Sequence, residues 1–320
     1  MNTVKWQQHV KVNRLQTLLL IVSMAGFLAL LGWVLWGVAG IIYLLVISVL
    51  ILLLTPTITP QLIMRLYGAQ RLSSSQVPEL HSIVLELSER SHLNFIPELY
   101  YIPSSMVSAF AVGRPKQAGI AITDGFLRTF DLREAVGVLA HEISHIRSND
   151  MSVMALADMF SRLTSMLSIF GQLLFIFNLP LVILGIVSVN WLVIGLLILA
   201  PTISTLAQLG LSRVREYDAD LNAARLTGDP EGLANALVKM ESIQGGWFER
   251  LFLSGRRIPE PSFLRTHPPT AERVHRLLSY KKSSVDNINL DLSTSASLEN
   301  NLLLGRIKRR PGWHFNGLWH

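Results

Sequence analysis

Residues 163–212 read LTSMLSIFGQLLFIFNLPLVILGIVSVNWLVIGLLILAPTISTLAQLGLS, fifty residues without one Asp, Glu, Lys, Arg or His. A bilayer crossing takes about 20 apolar residues, so the stretch holds two crossings and a tight turn. The helices are placed near Ser165–Val187 and Trp191–Leu211 with the turn at Ser188–Asn190, and Pro180 reads as a kink of the kind packed membrane helices tolerate. Residues 15–64 repeat the pattern, with no Asp, Glu, Lys, Arg or His between Arg14 and Arg65. That hairpin is placed near Gln16–Leu35 and Val38–Leu54, with Gly32, Gly37 and Gly40 around the turn and Trp33 and Trp36 at the interface, where aromatic belts sit. Its first apolar run is too long for the core of a cleaved signal peptide and reads as a signal anchor. Four transmembrane helices in two hairpins follow.

Working outward from the hairpins, all 28 Lys and Arg lie outside them: three before residue 15, nine between 65 and 162, and sixteen after 212. Those three segments must share one face of the membrane, and the positive-inside rule makes it the cytoplasmic face of the plasma (inner) membrane. The chain divides into a hairpin (1–56), the first part of a cytoplasmic domain (57–162), a second hairpin (163–212), the second part of the same domain (213–282) and a tail (283–320). Composition agrees: 50% of residues are hydrophobic, 16% are charged and the mean hydropathy is +0.40. The net charge of +6 is dispersed over three segments, which argues against nucleic acid as a partner. Cysteine is absent, excluding disulfide scaffolds, thiol nucleophiles and iron–sulfur clusters. Any transition metal must rest on His and carboxylate ligands.

Within the first soluble part, Val77–His92 has helical periodicity. Glu98–Ile102, Val107–Val112 and Gly119–Thr123 are β-formers between Pro, Ser and Gly punctuation and read as strands. The class is α+β, mainly helical with a small sheet. A helix opens at Asp131, which with Glu134 has the form of a capping box. It carries His141-Glu142-Ile143-Ser144-His145, and i, i+4 spacing puts both imidazoles on one helix face within reach of one Zn²⁺. Glu142 points beside the metal instead of at it, where it can act as general base. The bland alternative is two surface histidines and a solvated glutamate, but the other face of this helix is apolar.

A catalytic zinc wants three protein ligands. Past the second hairpin, Ser212-Arg213-Val214-Arg215-Glu216-Tyr217-Asp218-Ala219-Asp220 opens a helix that runs to Thr227 and stops at Gly228. Glu216 and Asp220 share a face of it, so Glu216 can supply the third ligand while Asp220 accepts the second N–H of a ligating histidine. The alternative is an acidic helix start favoured by the dipole.

In order, Ser108-Ala109-Phe110-Ala111-Val112-Gly113, Leu139-Ala140-His141-Glu142-Ile143-Ser144-His145, Arg215-Glu216-Tyr217-Asp218-Ala219-Asp220, and Thr266-His267-Pro268-Pro269 followed by Glu272-Arg273 make the chain resemble the HtpX family of membrane zinc metalloproteases, relatives of the CaaX prenyl proteases. The resemblance covers roughly residues 77–278 plus the hairpins. It implies a gluzincin-like catalytic domain with His141, His145 and Glu216 as ligands of one Zn²⁺ per chain and Glu142 as base, and Asp220 matches the family's acidic position behind the ligands. The family usually has Asn where this chain has Ser108.

His267 could donate to the oxyanion of a tetrahedral intermediate or cap the helix Pro269–Tyr280. Glu272 and Arg273 read as a structural ion pair. His9, His81, His92 and His275 have no ligand-like spacing. The tail's Arg306-Ile307-Lys308-Arg309-Arg310, with Trp313 and Trp319, could lie on anionic lipid or be solvated. Val107–Val112 is read as an exposed sheet edge onto which substrate adds as a strand. Ser108, Phe110 and Ala111 would line it, and broad specificity for locally unfolded membrane proteins would follow. A buried core strand is the competing reading. The activity expected is peptide-bond hydrolysis in membrane protein quality control and the stress response. The alternatives are a prenyl-peptide protease and a non-catalytic zinc-bound adaptor. A transporter is disfavoured because neither hairpin holds a charge to bind or relay an ion.

Overall fold

The computed structural model describes residues 3–54, 60–114, 117–186, 188, 190–244 and 269–281. The helices are α1 (Thr3–Leu54), α2 (Pro60–Leu66), α3 (Pro78–Arg90), α4 (Asp124–Thr129), α5 (Leu132–Ser148), α6 (Asp150–Ile183), α7 (Trp191–Thr227), α8 (Pro230–Gln244) and α9 (Thr270–Lys281), and the strands are β1 (Gln70–Arg71), β2 (Glu98–Ile102), β3 (Ala109–Arg114) and β4 (Gln117–Thr123). The chain forms two compact units, one of Met1–Val10, Ile58–Met151 and Arg215–His320, the other of Lys11–Thr57 and Ser152–Val214.

Among the described residues, three helices are long and apolar enough to cross a membrane: Lys11–Ile51, Asp150–Ile183 and Trp191–Thr227. The first is broken at Trp36 and Gly37, whose backbone angles are not helical. Gly37 has φ 61°, which costs glycine little, and the chain doubles back there. A methyl group on Gly40 would strike the carbonyl oxygen of Gly32. Leu28, Leu31 and Leu44 then share a core with Met159, Leu163, Leu167, Leu197 and Ala200. Polar bonds join α6 to α7, from the Ser168 hydroxyl to the Leu197 carbonyl (2.5 Å) and between the Ser161 and Ser204 hydroxyls (3.1 Å).

The helix limits differ from those read in the sequence. α6 begins at Asp150 instead of Ser165, because the amphipathic turns after Asn149 continue without a break into the apolar run. The helix expected to open at Ser212 is the end of α7, which runs unbroken from Trp191 through Pro201. It stops at Gly228, whose φ is 67°. Glu216 therefore lies far from any helix N-terminus, and the dipole explanation for its acidic neighbours falls.

The first unit is a mixed sheet covered by helices. Strand order is β1-β2-β4-β3, with β1 antiparallel to β2, β2 parallel to β4, and β3 antiparallel to β4. One face packs Ala109, Ala111, Ile120 and Ile122 against Leu139, Ile143 and Ile146 of α5, closed by Phe126 and Leu233. The opposite face packs Phe110, Val112 and Tyr100 with Met64 of α2. β3 starts at Ala109, two residues later than the sequence suggests, because Ser108 is held at its carbonyl and its N–H by the backbone and hydroxyl of Thr123. The short strand β1 has no sequence signal of its own.

Candidate metal centre

α5 begins as its sequence indicates. Asp131 accepts from the Glu134 N–H (2.8 Å) and Glu134 accepts from the Asp131 N–H (3.1 Å), a reciprocal capping box. Glu134 also takes the Lys239 ammonium at 2.6 Å, tying α5 to α8. Where α8 crosses, Gly137 lets the backbone at Leu233 approach so closely that a Cβ could not fit between them. The result is a helix buried nearly all round, His141 and Glu142 included.

Two ring nitrogens and a carboxylate meet there. The Nε2 atoms of His141 and His145 are 3.0 Å apart. Glu216 of α7 reaches them at 3.5 Å from His141 Nε2 and 3.7 Å from His145 Nε2. One ligand atom from each of the three residues lies within 4.8 Å of the others. Each imidazole turns its remaining nitrogen to an aspartate: His141 Nδ1 is 3.0 Å from Asp220 and His145 Nδ1 is 2.7 Å from Asp150. The Nε2 atoms of both rings are the ones nearest each other and Glu216, and two imidazoles plus a carboxylate are donors that a catalytic metal takes. Burial by itself would push the His141 imidazole down, but Asp220 and Glu216 outweigh it and hold it at about 10. His145 is likewise raised, with Asp150 overriding burial.

Glu142 does not join this group. Its Oε2 accepts the Ala111 N–H of β3 at 2.8 Å. That N–H therefore points away from β4, toward the outer side of a strand that is at the edge of the sheet among the described residues. Ala111 and Ala109 face α5, whereas Phe110 is turned to the opposite face with Met64 and Tyr100, its ring 5.5 Å from that of Tyr67. The small side chains next to the site are thus the alanines, and Phe110 does not border it. His267 and the tail lie outside the described residues.

Arg273 of α9 does not pair with Glu272. It is buried and holds Asp220 through two bonds (2.8 and 2.7 Å) with a third contact to Glu216 at 3.1 Å, while Glu272 faces Arg276 at 2.8 Å. Adjacent residues on a helix point about 100° apart, so only one of the two could face the site. Sequence reading also passed over Asp150 and Arg215. Their only signal was position: Asp150 follows His145 by five residues, and Arg215 stands directly before Glu216 in the quoted motif.

A model of peptidase family M48 matches residues 74–281. The chain belongs to peptidase family M48. Proteins named Protease HtpX homolog are similar to it over most of their length: that of Acaryochloris marina is 34% identical over 274 residues, 81% of this chain and 83% of the relative. That of Desulfatibacillum aliphaticivorans is 30% identical over 292 residues, 85% of this chain and 91% of the relative. A crystal structure of S. mikatae Ste24p aligns at a TM-score of 0.47 and 22% identity, over 86% of this chain and 67% of that one. The protein is a membrane metalloprotease, a hydrolase of peptide bonds.

Proposed function

We propose that this metalloprotease is a zinc endopeptidase of the plasma (inner) membrane, with four crossings in two hairpins and its site on the cytoplasmic side, that cuts locally unfolded membrane proteins. The observation that carries the reading is the bond from the Ala111 N–H to Glu142, which joins the edge strand to the base beside His141, His145 and Glu216. Held by those three residues, zinc would supply polarisation of the scissile carbonyl. The rest falls to the chain. Glu142 takes the proton of the attacking water and passes it to the leaving amine. Asp220, clamped by Arg273, keeps His141 turned toward the site. Outside the Ala111 N–H, which Glu142 holds, the outer edge of β3 aligns an extended peptide by backbone hydrogen bonds, which impose little side-chain preference. The side chains of Ala109, Phe110, Ala111 and Val112 in β3 are buried, not exposed as the sequence suggested, but those turned toward α5 and the site are the small Ala109 and Ala111, which favours varied substrates, and an extended segment is available only where a substrate is unfolded. The break at Trp36–Gly37 supports two crossings within residues 11–51, and the distribution of basic residues supports the cytoplasmic assignment.

Detergent-purified protein should cut an unfolded casein-like substrate and stop when a chelator is added. Glu142→Gln should retain one zinc per chain and lose about 10²–10⁴-fold in turnover; a variant that loses its zinc would contradict the role given to Glu142. Reporter fusions at Gly37 and Ser188 should read external and one at Gln117 cytoplasmic, and a cytoplasmic reading at Ser188 would remove the second hairpin from the topology.

A further inference from the structure

Behind each ring of the His141–His145 pair stands an aspartate, and behind each aspartate an arginine. Arg273 and Asp220 serve His141. The corresponding pair for His145 is Asp150 and Arg215. Asn149, at φ 54°, ends α5 in the left-handed conformation, and α6 opens on the next residue. That tight joint brings the Asp150 carboxylate to His145, Oδ2 to Nδ1 at 2.7 Å. The other oxygen, Oδ1, takes the Nε–H of Arg215 at 2.5 Å and lies against its Nη2 as well. Arg215 is also 3.5 Å from Asp218. The side chains of Asp150 and Arg215 are only 5% and 7% exposed, so water has little part in the arrangement.

We infer that Asp150 and Arg215 are positioning residues that select the tautomer of His145. A carboxylate oxygen can only accept, so Oδ2 requires the proton to sit on Nδ1. That leaves the Nε2 lone pair free and aimed toward His141 Nε2 and Glu216. Arg215 enforces the arrangement by holding Oδ1, which fixes the plane of the carboxylate and keeps Oδ2 on the ring. The inference rests on the reading of His145 as a metal ligand.

Asp150→Asn separates this role from packing, because it keeps the shape and changes one acceptor into a donor. Arg215 can only donate, so it selects the amide oxygen and turns the NH₂ group toward His145. Nδ1 must then accept, the proton moves to Nε2, and the lone pair that would meet the metal is gone. In the full-length protein in detergent, zinc affinity measured by competition with a chromophoric chelator should fall about ten- to a hundredfold. The melting temperature of the zinc-free protein should stay close to wild type. Adding Arg215→Met frees the amide to rotate its oxygen back to His145, so the double variant should recover part of the lost affinity. Unchanged affinity in Asp150→Asn, no recovery in the double variant, or a collapse of the zinc-free melt would each overturn the inference. His145→Ala tests the underlying reading separately: if zinc binding survives it, the ligand assignment fails and not the tautomer argument alone.

Discussion

The two units of the chain differ in whether they bury charge and in what they expose. In the catalytic unit, His141, Glu142, Asp150, Arg215, Glu216, Asp220 and Arg273 are interior, and the apolar residues packed around them form a core of the soluble type. In the helical unit the interior is apolar with a few hydroxyls and no charge, and large apolar side chains face outward: Phe177 is 78% and Leu192 75% exposed. An apolar surface of that extent is stable only against lipid or detergent. The comparison teaches that a phenylalanine stabilises this molecule by where it lies. Phe126 of α4 has no exposed surface and meets Phe130 edge-on at 4.9 Å between centroids, whereas Phe177 meets the surroundings.

The sharpest test of that contrast is the same truncation in both places. Phe126→Ala should cost about 3–5 kcal/mol, seen as a large drop in melting temperature in detergent, and Phe177→Ala should stay within roughly 0.5 kcal/mol. Equal losses would mean that the outward face of α6 is covered by protein and the contrast is false. A second test lies inside the helical unit, where packing is by close backbone approach. Gly40→Ala would force the Gly32 carbonyl away and should cost about 1–3 kcal/mol, with zinc content unchanged because the proposed ligands His141, His145 and Glu216 belong to the other unit. Loss of zinc in Gly40→Ala would show the units to be coupled.

The smallest effect is expected on the surface of the catalytic unit. Arg133 bridges Asp229 (Nη2 to Oδ1, 2.7 Å) and Glu231 (3.0 Å), linking the start of α5 to that of α8. Its side chain is 45% exposed, so Arg133→Ala should cost no more than about 1 kcal/mol. Burial would raise the Asp229 carboxyl, but the hydrogen bond and charge of Arg133 outweigh it and hold the group below its usual range. A carboxyl lowered by folding adds stability above its unfolded value, and that stability is lost as the pH falls through the folded one. The gap in melting temperature between wild type and Arg133→Ala should therefore narrow on acidification, and a gap that widens would reverse the assignment.

What the sequence by itself determined was whatever depends on spacing within a few residues or on hydropathy over a long run. The capping box of Asp131 and Glu134, the one-turn separation of His141 and His145, the shared face of Glu216 and Asp220, and the reversal near Gly37 all belong here. Each follows from helix periodicity, backbone sterics or the absence of charge, which a linear chain displays directly. Other features are pairings across distance. Ala111 and Glu142 are 31 residues apart, Arg273 and Asp220 53, and Arg215 and Asp150 65. A buried charge accepts whichever opposite charge the packing of its neighbours delivers, and nothing periodic in the chain announces which one. That is why Arg273 could be taken for the partner of Glu272, and why the pairing of Asp150 with Arg215 passed unread. The turn of Phe110 away from the site has the same origin, since a strand's faces alternate but only the helices packed on them decide which face borders the chemistry.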